Sequence, residues 1–98
     1  MPALHILNRS PHEGGTFART LSLLQTGDAL LLTGDAVIGA AEGHPQAQEL
    51  GSLSGVKVYA LEADLLARGL QAGEAIDTVD YSGFVRLTED YARLRHWH

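Results

Sequence analysis

Cysteine is absent from all 98 residues of the chain. The sequence therefore excludes disulfide bonds, thiolate metal ligands and a cysteine nucleophile in this polypeptide. Any thiol chemistry in which the protein takes part must be supplied by another chain.

Long apolar runs and basic residues are also scarce. No unbroken apolar run is longer than that of residues 29–32, which is far shorter than the ~20 residues of a transmembrane helix. Seven Lys and Arg against twelve Asp and Glu give a formal net charge of −5, which opposes docking on nucleic-acid phosphates. The first residues lead straight into a strand pattern without the regions of a secretory signal. We therefore expect a cytoplasmic protein with no direct nucleic-acid or membrane contact.

Residues 56–70 change their apolar spacing partway along. A short apolar run through Val58 and Tyr59 is typical of a strand buried between two layers. From Leu61 the apolar residues recur at helical spacing, and Gly69 stands where a left-handed cap would end a helix. The pattern predicts a strand that feeds a helix, which is half of a βαβ unit.

Further strands and helices follow the same alternation along the chain. The other predicted strands are residues 4–7, 28–32 and 78–80. A second helix is predicted from near Thr16 and a weak one over residues 36–41. A terminal helix is predicted through Phe84, Leu87, Tyr91 and Leu94. Residues 42–55 are predicted to form a surface loop with one helical turn near residues 46–50. Four strand-helix steps without a repeat or linker predict a single domain, residues 1–98, folded as a small three-layer α/β sandwich with a mainly parallel sheet.

The segment after the first strand contains polar residues that could suggest a site. Ser10 and His12 resemble part of a hydrolase pair, but no Gly-x-Ser-x-Gly elbow is present, and Ser10 with Glu13 matches a capping box. Residues 14–16, Gly-Gly-Thr, could cradle a phosphate, although the lysine and glycine spacing of a phosphate loop are missing. We expect a helix cap and a plain turn.

Acidic and histidine residues elsewhere also have simpler explanations. Asp35, Asp64 and Asp80 lie at or near predicted helix starts, where carboxylates are favoured, so capping explains them without a catalytic constellation. His96 and His98 could bind a metal, but the sequence places no further ligands beside them. We expect a disordered tail there.

Aromatic residues near the end of the chain are candidates for packing or binding. Phe84 and Tyr91 fall on the apolar stripe of the predicted terminal helix. Tyr81 and Trp97 lie outside that stripe, and aromatic residues are enriched in the cores of protein interfaces. Tyr81 and Trp97 are therefore our candidate partner interface.

Three blocks of sequence resemble a known family. They are residues 4–11 (LHILNRSP), 58–70 (VYALEADLLARGL) and 79–88 (VDYSGFVRLT), and they occur in this order over most of the chain. In these blocks the chain resembles the TusB/DsrH family of sulfur-relay proteins.

The resemblance implies a DsrE-like fold and a subunit that assembles with a TusC/DsrF-like and a TusD/DsrE-like chain into a dimer of heterotrimers. Such complexes pass persulfide sulfur toward 2-thiouridine at the wobble position of certain tRNAs, or act in sulfur oxidation, and the relay cysteine lies mainly on the TusD-like subunit. Some members have a cysteine near the position of Thr20, where a hydroxyl cannot carry a persulfide. The resemblance thus implies a non-catalytic subunit without a cofactor, and self-association of the isolated chain stays open.

Two alternatives remain beside this interpretation. The same complex could serve dissimilatory sulfur oxidation. A stand-alone α/β module could instead bind a small ligand at the carboxyl edge of the sheet, with the loop of residues 10–16 as its main feature. An enzymatic role lacks an identifiable nucleophile.

Overall fold

Five parallel strands form a single sheet in the computed structural model, which describes residues Met1–His98. The strands are β1 (Ala3–Leu7), β2 (Ala29–Leu32), β3 (Lys57–Leu61), β4 (Asp77–Val79) and β5 (Arg93–Trp97), in the order β4-β3-β2-β1-β5. All four strand pairings are parallel. The predicted α/β class is confirmed, and the sheet has one strand more than predicted.

Helices cover both faces of this sheet. They are α1 (Thr16–Leu23), a 3₁₀ helix (Gly34–Ala40), α2 (Pro45–Gly51), α3 (Glu62–Ala67) and α4 (Tyr81–Asp90). Right-handed crossovers from β1 through β4 put the first four helices on one face, and the return to β5 puts α4 on the other. None of these helices has the length and apolar character that crossing a bilayer requires.

Two hydrophobic clusters correspond to the two faces. We call the face that α1 covers the α1 face. It holds the larger cluster, in which Leu7, Leu30 and Val58 pack with helical residues such as Phe17 and Leu65. The opposite α4 face holds a smaller cluster of Leu4, Ile6, Ala29, Leu31 and Leu87, against which Phe84 and Tyr91 pack half-buried. The predicted packing of these two aromatic residues is confirmed.

The turn after β1 differs from the predicted capping box. Ser10 Oγ accepts from the backbone N–H of His12 at 3.1 Å, and Glu13 instead lies 3.5 Å from Arg9. Residues 11–15 form turns, because Gly14 takes a left-handed φ of 61° that a helix cannot continue through. The capping box was therefore wrong, whereas the predicted helix start at Thr16 is confirmed.

The three acidic residues at the carboxyl edge bind backbone or a cation. Asp80 caps α4 by accepting from Gly83 N at 2.8 Å, as predicted. Asp64 accepts from Gly34 N at 2.7 Å and so satisfies the start of the 3₁₀ helix from another element. Asp35 does not cap that helix, and its carboxylate pairs with Arg68 at 2.8 Å.

The strand and helix predicted in residues 56–70 are present, with a shifted boundary. Leu61 is the last residue of β3, so the helix begins one residue later than predicted. Gly69, with a φ of 65°, ends α3 as expected. The backbone N–H of Leu70 then reaches the carbonyl of Leu65 at 2.9 Å, which closes a Schellman cap.

The end of the chain overturns two predictions. Helix α4 stops at Asp90 rather than continuing through Leu94, and Tyr91 is already extended. Residues 93–97 then pair with β1 along its whole length, from Ala3 opposite Arg93 to Leu7 opposite Trp97. The disordered tail was wrong, because this strand satisfies the edge of β1 that four strands would have left open.

Candidate functional site

Thr20, the residue to which the family resemblance drew attention, lies inside the core. Thr20 on α1 is fully buried, and its hydroxyl donates to the carbonyl of Thr16 at 2.8 Å. The side chain has neither the thiol that persulfide chemistry needs nor access to a partner.

The two aromatic residues proposed for an interface lie on different faces. Tyr81, at the start of α4, is 63% exposed. Trp97 is half-buried and packs against the large cluster on the α1 face. The structure does not bring Tyr81 and Trp97 together, so each remains a separate candidate for partner contact.

Trp97 belongs to a polar network that crosses three strands. Its indole Nε1 donates to His5 Nδ1 at 3.0 Å, and the two rings stack with centroids 6.1 Å apart. His5 Nε2 lies 2.9 Å from Asp28 Oδ2, and both side chains are buried. Because an indole can only donate and a carboxylate only accepts, the imidazole proton must sit on Nε2. The network thus has a single consistent direction, from Trp97 through His5 to Asp28.

The carboxylate of Asp28 is the acceptor at which this network ends. Besides His5, it accepts from Ala3 N at 2.9 Å and from Gln25 N at 3.0 Å. Burial by itself would raise the pKa of Asp28, but these hydrogen bonds outweigh it and hold the pKa below its ordinary 3.8. Asp28 is therefore a buried anion whose acceptor atoms are satisfied.

Sequence reasoning missed this network, although a signal was present. His5 and Asp28 are polar residues in or beside apolar strands, and buried polar groups need partners. The network joins β5 to β1 and to the start of β2, so its clearest role is to hold the last strand in place.

Replacing Trp97 by Phe tests the indole bond. Trp97→Phe keeps an aromatic ring on the α1 face but leaves His5 Nδ1 without a donor. We therefore expect the free energy of unfolding to fall by about 1–3 kcal/mol. Urea denaturation followed by circular dichroism measures the change. An unchanged midpoint would mean that the bond contributes nothing.

Acid should weaken the fold through Asp28. Because its pKa is lower in the folded than in the unfolded chain, its contribution is present above the ordinary value of 3.8 and is lost as the pH falls through the lowered pKa. We expect the stability difference between the wild type and Asp28→Asn to narrow from pH 6 to about pH 3. Urea denaturation of both proteins across this range checks the sign.

A groove lies on the α1 face, over β5 and β1. Arg93 and Arg95 are exposed on the α1 face, and neither pairs with a carboxylate. With Met1, Leu23 and Trp97 they help to line an open groove of about 240 Å³. His5 and the buried carboxylate of Asp28 also line it, so the groove combines two exposed arginines and one buried anion with apolar surface.

The loop of residues 10–16 contributes to none of the four cavities. The largest, an open groove of about 720 Å³, lies between α2 and residues 72–75. At the loop itself His12 Nε2 lies 3.0 Å from His44 Nε2, while His44 Nδ1 accepts from Gln46 N. No group of three or more metal-ligating side chains occurs in the structure. The loop is thus a hydrogen-bonded turn at the surface.

Solved structures place this architecture in a known fold class. The crystal structure of the ychN protein from Escherichia coli superposes with a TM-score of 0.76 at 18% identity, covering 98% of this chain and 99% of that one. A protein of unknown function from Methanobacterium thermoautotrophicum superposes with a TM-score of 0.64 at 21% identity over 96% of each chain. The chain thus has the fold of a small parallel α/β domain of the DsrE-like class.

Sequence comparisons give the family. The family described as "DsrH like protein" matches residues 9–94. The chain is 44% identical over 96 residues to the protein named TusB from Shigella sonnei, covering 96% of this chain and 99% of the relative. The same identity and coverage apply to TusB of Escherichia coli O139:H28. The chain belongs to the DsrH/TusB family, as its three sequence blocks indicated.

Proposed function

We propose that this protein is the subunit of a sulfur-relay complex that carries no sulfur itself and supports persulfide transfer toward 2-thiouridine in tRNA. Its partners in this proposal are a TusC/DsrF-like and a TusD/DsrE-like chain. The observation that carries the proposal is the absence of cysteine in a member of this family. Without a thiol the chain cannot accept a sulfane sulfur, so the relay must run through its neighbours.

Two further observations support an accessory role over an enzymatic one. Thr20 is buried and hydrogen-bonded within α1, away from any partner's thiol. The buried polar side chains His5 and Asp28 hydrogen-bond to each other, and Asp28 also accepts from two backbone N–H groups, so both side chains are used in holding strands together. The chain thus contributes a folded surface on which cysteine-bearing subunits can assemble.

The relatives favour tRNA thiolation over sulfur oxidation, because the similar proteins compared above carry the name TusB. Deleting the gene in the source organism and measuring 2-thiouridine in digested tRNA by mass spectrometry tests this role. We expect the thiolated nucleoside to disappear and to return with the wild-type gene. Unchanged thiolation, or a defect confined to growth on reduced sulfur, would count against the proposal.

A further inference from the structure

Strand β5 forms one edge of the sheet, and its outer row of backbone groups has no strand partner. The carbonyl of Trp97 accepts from Asn8 N, so the backbone groups of Trp97 point toward β1. In a parallel ladder the backbone groups of alternate residues point to opposite sides. Those of Arg93, Arg95 and Trp97 therefore point to β1, and those of Leu94 and His96 point outward.

The two sheet edges differ in how well they are protected. Natural proteins shield edges by keeping them short, and β4 spans three residues. The edge strand β5 spans five residues, four of them exposed, and contains neither a proline nor a glycine. It is therefore the longer edge, and its charged side chains restrict which strand can add to it.

Charge sets β5 apart from the rest of the molecule. The chain carries a formal net charge of −5, yet β5 has two arginines, a histidine and no acidic residue. Arg93 and Arg95 lie on the α1 face beside the groove of about 240 Å³, and Leu94 is 43% exposed on the α4 face. A complementary strand would place acidic side chains on the first face and apolar ones on the second.

We propose that β5 is a docking edge that takes an extended segment of a partner protein with alternating acidic and apolar side chains. The added strand would bond to the outward groups of Leu94 and His96 and would pair its carboxylates with Arg93 and Arg95. This inference rests on the proposed function, because it identifies the surface through which the subunit joins its complex.

A second copy of this chain fits the edge less well than a different protein. Two β5 strands side by side would bring arginines and histidines together, and opposed like charges destabilise a strand pair. If β4 of another copy continued the sheet as a parallel strand, its Asp77 would lie on the α4 face, opposite to the face that carries the arginines. As an antiparallel strand it would offer the two arginines only the one carboxylate of Asp77. RNA is disfavoured by the net negative charge of the chain.

Charge reversal at the edge provides the first test. The chain is co-expressed with the two related subunits of its source organism, and the dissociation constant of the complex is measured by titration. We expect Arg93→Glu with Arg95→Glu to weaken assembly by about 100-fold or more, since a close charge pair becomes repulsive. Arg19→Glu with Arg86→Glu makes the same charge change at exposed sites on α1 and α4, and should leave assembly within about 2-fold.

A proline substitution tests the backbone separately. Leu94→Pro removes an outward N–H without touching the ladder with β1, so it should fold and yet weaken assembly by about 10-fold or more. Leu94→Ala keeps the N–H and is its control. Circular dichroism and the fluorescence of Trp97, the single tryptophan, verify the fold of each variant.

The outcomes separate this inference from the proposed function. If the wild type assembles and the edge variants assemble equally well, β5 is not the interface, although the proposed function stands. If the wild type does not bind its two relatives, both fail. A charge reversal that lowers only tRNA retention or only self-association would overturn the inference in favour of RNA or a second copy.

Discussion

A chain that ends after Ala92 is expected to lose about 3 kcal/mol or more of its free energy of unfolding. The truncation deletes β5, which pairs with all five residues of β1. It also removes the half-buried Trp97 ring, whose loss contributes part of the ~3–5 kcal/mol that a fully buried aromatic side chain is worth. For a domain of this size, the melting temperature should fall by about 12 °C or more. Thermal unfolding followed by circular dichroism measures the loss.

Three matched variants make this prediction specific to the strand. Deleting His98 alone shortens the chain beyond the end of β5 and should change nothing. Arg95→Pro removes an N–H that points to β1, whereas Leu94→Pro removes one that points outward, so only Arg95→Pro should destabilise the fold. If the truncated chain is as stable as the full one, β5 contributes nothing to the stability of the fold.

Replacing Asp28 by Asn is expected to destabilise the fold by about 3 kcal/mol. Three donors, the backbone N–H groups of Ala3 and Gln25 and the His5 ring, converge on two carboxylate oxygens. An amide offers one oxygen and one NH₂ group, so in either orientation at least one buried donor faces another. His5 cannot relieve the conflict by moving its proton, because Nδ1 must accept from Trp97.

The control for this variant is Asp77→Asn, which removes the same charge from an exposed position on β4. It should stay within about 0.5 kcal/mol of the wild type. Urea denaturation at neutral pH gives the unfolding midpoint of each variant for comparison with the wild type. Equal midpoints for Asp28→Asn and Asp77→Asn would show that the network contributes nothing to the free energy of unfolding.

Local patterns were enough for most of the sheet and its helices. The apolar run through Val58, the change of period near Leu61 and the glycine at position 69 are all read within a window of fifteen residues. The structure moves the boundary by one residue, which is the scale on which helix ends vary. Patterns of this kind report the face that an element buries, and they therefore predict its type.

The last strand could not be predicted in the same way. Apolar residues at three and four, from Phe84 to Leu94, favour a helix, and residues 93–97 (RLRHW) lack the strict alternation that would favour a strand. Residues 93–97 form a strand because they pair with the edge of β1, which lies some ninety residues earlier in the sequence. The polar network has the same origin, since His5 is separated from Asp28 by 23 residues and from Trp97 by 92. A sequence pattern does not contain such contacts.

Affinity purification of the tagged chain from its source organism, followed by intact mass measurement of every protein that accompanies it, tests the account most directly. We predict that the chain emerges in equal amounts with two related subunits, at least one bearing cysteine, and that any added sulfur resides on those subunits. Recovery of the chain alone, with no related protein bound under conditions that preserve native complexes, would contradict the account.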